Sequence, residues 1–147
     1  MPTRAFRANS LKPDYFIDLV EQLANSKIKD EVCVRRLLSG LYFSLFNYWA
    51  AISYDNGNRG KGPRQDRFSY REFHESLLSE GLDAELLLLY TYRVAVDHYV
   101  LNPTMIQIYN EEIARYVSQR TKVHITITIL KKAVEAAKTI LSQIRLK

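Results

Sequence analysis

The chain is poor in the residues that break, staple or metallate a fold. One cysteine, Cys33, excludes an intrachain disulfide and a zinc site built from cysteines, and it fits a reducing, cytoplasmic setting. Five glycines and four prolines in 147 residues leave long stretches free of breakers. Low-complexity segments and internal repeats are absent. The residues from Met1 to Lys12 are partly basic but lead into no apolar core, so no signal peptide is expected. The most apolar stretch, Val32 to Ile52, contains Arg35, Arg36, Ser39, Ser44 and Asn47. A membrane span needs about 20 mostly apolar residues with few or no charges, so this stretch reads as a buried helix.

What is present is apolar and charged in the proportions of a globular domain: 47% hydrophobic and 25% charged. One domain covering residues 1–147 fits this length. The formal charge is +5, from 21 Lys+Arg against 16 Asp+Glu. Such a balance favours association with a polyanion through release of counterions.

The periodicity is helical. Pro13 suits a first turn, and Phe16, Leu19, Val20 and Leu23 form one stripe, predicting a helix over Lys12 to Ala24. Asp30 is positioned to cap a second helix running to about Ser53. Its stripe is Val34, Leu37, Leu38, Leu41, Leu45, Phe46, Trp49 and Ile52, with Val32 and Phe43 outside it, which implies burial on more than one side. Tyr54 to Phe68 carries Asn56, Gly57, Asn58, Gly60, Gly62 and Pro63 and reads as a loop. Its cations, Arg59, Lys61, Arg64 and Arg67, outnumber Asp55 and Asp66. Either they are a solvated surface, or they form an arm that follows RNA phosphates.

Ser69 with Glu72 predicts a capping box for a third helix to about Ser79, stopped by Gly81. Asp83 is then the expected cap of a fourth helix to about Tyr99, closed by Asn102-Pro103. Helical spacing is expected over Thr104 to Val117. HITITI, residues 124–129, alternates like a strand, but a lone strand would lack a partner, so Lys122 to Arg145 is expected to be helix. The architecture predicted is an all-α, up-and-down bundle of four to five helices.

The segment TYRVAVDHYVLNP, residues 91–103, holds the chemistry of interest. RNA cleavage without a metal needs an imidazole to take the ribose 2′-OH proton and to return one to the leaving 5′-oxygen. It also needs a cation to stabilise charge on the phosphoryl oxygens. Arg93 and His98 supply both types. Five positions along a helix separate two side chains by roughly 140° and about 7.5 Å, so convergence requires the helix to end near His98 or a two-fold axis to bring in a second copy. The alternative is an ordinary ion pair between Arg93 and Asp97, with His98 packed beside Tyr99. His74 reads as a core or site residue, and His124 has no metal-binding neighbours at ligand spacing. Phosphate-loop, dinucleotide, zinc-protease and nucleophile-elbow motifs are all absent.

On these residues the chain resembles the HEPN family (higher eukaryotes and prokaryotes nucleotide-binding). SGLYFSLFNYWAAI, residues 39–52, is similar to that family's second-helix pattern, with Tyr42, Phe43, Ser44 and Phe46 on its aromatic part. Asn47 stands where histidine is frequent, and Gly40 where arginine is. Arg93 and His98 match the family's R-x4-6-H motif. Asp97 matches the aspartate of a related subfamily pattern, and His74 follows the Gly-rich loop as a histidine often does there. The resemblance implies a homodimeric helical bundle and metal-independent RNA cleavage by Arg93 and His98, with Asp97, Asn47, Tyr99 and His74 in support. It implies no cofactor. RNA or nucleotide and a nucleotidyltransferase antitoxin are its implied partners, and a toxin or host-defence effector its implied role. A non-catalytic module that binds nucleotides or partners a nucleotidyltransferase is the other implied activity. Val94 follows Arg93 where active toxins place a polar residue, and Tyr99 directly follows His98 while Val100 holds the position where toxins carry a modifiable tyrosine.

Overall fold

A computed structural model describes residues 12–26, 30–99, 104–108 and 119–146. Over these residues the protein is a bundle of five helices with one two-stranded sheet: α1 Pro13–Ala24, α2 Glu31–Asp55, α3 Tyr70–Ser79, α4 Asp83–His98, β1 Met105–Ile108, β2 Gln119–Lys122 and α5 Ile127–Arg145. Among them, no helix is long and apolar enough to cross a membrane. The 25-residue α2 is the spine, packing on α1, α3, α4 and α5, which explains why its apolar residues spread around most of its circumference. Leu41, Leu38 and Leu45 on α2, Leu130 and Ala137 on α5, and Val20 on α1 are buried at its centre.

Local chemistry sets most of the helix ends. The Asp30 carboxylate accepts from Val32 N at 2.9 Å and caps α2. Ser69 and Glu72 form a reciprocal capping box on α3. Two helices end on the same device. Gly57 (φ +92°) follows α2, with Asn58 N donating to Ser53 O at 2.9 Å and Gly57 N to Tyr54 O at 3.0 Å. Gly81 (φ +77°) follows α3, with Leu82 N donating to Leu77 O at 3.0 Å and Gly81 N to Leu78 O at 3.1 Å. Both are Schellman closures, which need the left-handed conformation that glycine adopts without a steric penalty.

The expected cap at Asp83 is corrected. Leu82 occupies the cap position, with no side-chain bond, and Asp83 is the first helical residue. The chain passes from the α3 closure straight into α4, so Leu82 serves both turns and leaves no position for a polar cap. Asp83 and Glu85 instead place negative charge at the positive end of the helix dipole.

The tail departs further. Residues 105–108, expected as helix, are strand β1, while residues 109–118 lie outside the described residues. Lys122 ends strand β2 rather than starting a helix, and α5 begins only at Ile127. The two strands are antiparallel, Met105 opposite Lys122 and Ile108 opposite Gln119. The alternation of HITITI is therefore real at its start: Val123 and Ile125 are buried and His124 is exposed. Val123 N donates to Thr104 O at 3.1 Å, and the Thr126 hydroxyl then caps α5 by accepting from Ile129 N at 3.2 Å. HITITI itself is not a strand: β2 precedes it over residues 119–122, paired with β1, and the second half of the segment opens α5.

No atom lies within 4 Å of the position a Gly81 Cβ would take. The cost of Gly81→Ala is then conformational alone, and urea denaturation is expected to show a loss of about 1–2 kcal/mol, with Gly81→Asn losing less.

Candidate active site

The strongest helix pairing, α2 against α4, builds the site. Tyr99 leaves the helical conformation (ψ 117°), so α4 ends at His98 and leaves its last carbonyls without helical partners. Two α2 guanidiniums take them. Arg35 Nη1 donates to Val96 O at 3.3 Å and Tyr99 O at 2.9 Å, and Arg36 Nη2 donates to Val96 O at 3.2 Å. Their charges also complement the negative end of the α4 dipole.

Asp97 is gripped at both oxygens. Arg36 Nη2 lies 3.1 Å from Oδ1, and the Ser39 hydroxyl donates to Oδ2 at 2.9 Å. Arg93 Nε is 3.4 Å from the same Oδ2, an ion pair between side chains only 13% and 16% exposed. The alignment falls short of a hydrogen bond, so this buried N–H has attraction without a bond. Arg93 Nη1 meets His98 Nε2 at 3.2 Å. A guanidinium only donates, so Nε2 is the acceptor and the neutral ring carries its proton on Nδ1. The helix end resolves the expected 140° separation: the long Arg93 side chain reaches an exposed imidazole on the last helical residue.

Four aromatic rings surround the Arg93 guanidinium carbon: Phe43 at 5.1 Å, Tyr70 at 5.5 Å, Tyr42 at 5.9 Å and Tyr90 at 6.0 Å. Their faces supply the cation–π attraction that a partly desolvated charge needs. Behind them, the Tyr42 hydroxyl and His74 Nε2 are 2.6 Å apart and buried, with the His74 ring 4.6 Å from Tyr90. Burial, reinforced by Tyr90, pushes the Tyr42 phenol far above its ordinary range, so it stays protonated beside His74. His74 thus supports the cage from the core and does not reach the surface.

Asn47 is exposed and makes no hydrogen bond to Arg93 or His98 among the described residues. The Tyr99 hydroxyl accepts from Gln107 N at 3.2 Å and, like Tyr92 with His124 N at 3.0 Å, ties α4 to the strand region. Arg35, Arg36, Ser39 and the rings of Tyr70 and Tyr90 were not singled out by spacing. The available signal was that Ser39, Tyr42 and Phe43 fall at i, i+3 and i+4, one face of α2.

The basic loop is more tightly built than a free arm. Arg59 stacks on Tyr54 at 4.0 Å and donates to Asn58 O at 2.6 Å. Lys61 pairs with Glu75 at 3.7 Å and Arg64 with Asp66 at 3.1 Å. The hydrogen bond from Arg64 holds the Asp66 carboxyl below its usual range against slight desolvation. Lys61, Arg64, Arg67, Phe68, Arg71 and Glu72 border an open groove of about 520 Å³. Glu72 anchors the loop, accepting from Lys61 N at 2.8 Å and Ser69 N at 2.6 Å. Among the described residues, no group of three or more His, Cys, Asp or Glu side chains is arranged to hold a metal ion.

No protein-family model matches the chain, and no curated protein or solved structure does so either.

Two outcomes test this geometry. Asp97→Asn removes the charge that Arg36 and Arg93 share, and is expected to cost about 1–3 kcal/mol in chemical denaturation. Burial raises the Glu72 carboxyl, but backbone hydrogen bonds from Ser69 and Lys61 outweigh it and hold the group below its ordinary 4.5. A depressed carboxyl stabilises the fold above its unfolded pKa, and that contribution disappears as pH falls through the folded value. Glu72→Gln should therefore melt lower than wild type at neutral pH, with the gap closing as pH drops below 4.5.

Proposed function

We propose that the protein is a HEPN-type, metal-independent endoribonuclease that works as a homodimer. The observation that carries this reading is the 3.2 Å contact between Arg93 Nη1 and His98 Nε2 at the end of α4. An RNA phosphate entering there offers Arg93 an anionic acceptor stronger than a neutral imidazole. The guanidinium turns its donors to the phosphoryl oxygens, and the Nε2 lone pair is released. Nε2 then accepts the proton of the ribose 2′-OH as O2′ attacks phosphorus. The P–O5′ bond breaks, and a second protonated imidazole gives its proton to O5′. The products are a 2′,3′-cyclic phosphate and a free 5′-OH.

In-line displacement places the entering and leaving oxygens on opposite sides of phosphorus, where one imidazole does not reach both. A two-fold dimer supplies the second His98, which is the physical ground for the homodimer. A toxin or host-defence role in the cytoplasm, with a nucleotidyltransferase antitoxin as partner, follows from the family resemblance.

One observation favours the other reading, a non-catalytic HEPN module that binds nucleotides or a nucleotidyltransferase. Arg93 is only 13% exposed and already ion-paired to Asp97, as a structural arginine would be.

Incubating the protein with mixed RNA in EDTA separates the two. Wild type is expected to leave cyclic-phosphate ends, with Arg93→Ala and His98→Ala each slower by roughly 100-fold or more. Intact RNA with folded wild-type dimer, or equal cutting by both variants, removes the ribonuclease reading and leaves the binding module.

A further inference from the structure

We infer that Tyr70 is the base-stacking contact for single-stranded RNA, set between the basic groove and the Arg93–His98 pair; the inference rests on the ribonuclease reading. Tyr70 opens α3 and is 41% exposed, unusual for a large ring in an aromatic cluster. Its inner side is braced by Phe46 at 4.7 Å and Phe43 at 5.9 Å, so the ring is held rather than free to rotate into solvent. Arg93 lies 5.5 Å from its centre. In the chain it sits between Ser69 and Arg71, both of which border the groove.

The groove supplies the charge. Lys61, Arg64, Arg67 and Arg71 face Glu72 and Glu75 there, an excess of cations that matches a phosphate backbone. Lys61 and Arg71 share Glu75, and Arg64 holds Asp66, while Arg67 makes no ion pair among the described residues. A strand whose phosphates follow the groove passes Tyr70 before reaching Arg93. A fixed, half-exposed ring at that point stacks on a base of any identity, because every base has a π face. In a duplex those faces are already covered by neighbouring bases, so the arrangement selects unpaired RNA.

The test reads binding without cleavage, using a fluorescent 2′-O-methyl single strand, which lacks the attacking hydroxyl, in EDTA. Tyr70→Leu keeps apolar contact with Phe46 but has no π face, and is expected to bind about 5- to 150-fold more weakly. Tyr70→Phe should bind like wild type, and wild type should prefer the single strand to its 2′-O-methyl duplex. Unchanged binding by Tyr70→Leu, or equal affinity for strand and duplex, overturns the inference. If Tyr70→Leu does not fold, the strand-against-duplex comparison on wild type decides alone. Weakened binding by Tyr70→Leu in a protein that cuts no RNA leaves the stacking contact standing while the ribonuclease reading falls. Normal binding by Tyr70→Leu in a protein that does cut removes the contact only.

Discussion

The carboxylate of Asp97 is where α2 and α4 are locked in register. Ser39 and Arg36 reach it from one helix and Arg93 from the other, while Arg35 closes the carbonyls of Val96 and Tyr99 on either side of it. A carboxylate with little exposure costs a great deal to desolvate unless every oxygen is engaged, and here both are. The arrangement therefore stabilises only when complete. Shifting α4 along α2 by one turn would take Asp97 away from Ser39 and Arg36 and leave its carboxylate only the pair with Arg93 on its own helix. That penalty makes the position of the helix end, and of His98 upon it, a consequence of packing.

The aromatic cage extends the same constraint to Arg93. An arginine side chain has several rotatable bonds, and holding it in one geometry costs conformational entropy. The rings of Tyr42, Phe43, Tyr70 and Tyr90 meet that cost through cation–π contact, and the buried Tyr42–His74 hydrogen bond keeps one ring from turning. The guanidinium is thus held among these rings and against Asp97. Its companion His98 is exposed and reachable from solvent. An enclosed cation thus lies beside an accessible imidazole.

Around this centre the fold divides into parts settled by local chemistry and parts settled at a distance. The Asp30 cap, the Ser69–Glu72 box and the Gly81 stop were all legible in the chain, because each involves groups within a few residues of one another. The Asp83 cap and the tail were not. Ile106 and Ile108 have the two-residue spacing of a strand, but the longer spacing of Ile108, Ile113 and Val117 reads as helix, and β1 exists because β2 lies beside it and because Tyr99 and Tyr92 anchor that region to α4.

By itself the sequence determined the helical class, most of the helix ends and the pairing of Arg93 with His98 as candidates, since periodicity and capping act over one or two turns. Tertiary structure decided which α2 groups engage Asp97 and that His74 supports from within. It also decided that Asn47 stands apart and that rings from α2 and α3 join Tyr90 of α4 in enclosing one guanidinium. Those outcomes depend on how α2, α3 and α4 pack, and side-chain contacts between separate helices leave no fixed spacing in the chain that encodes them.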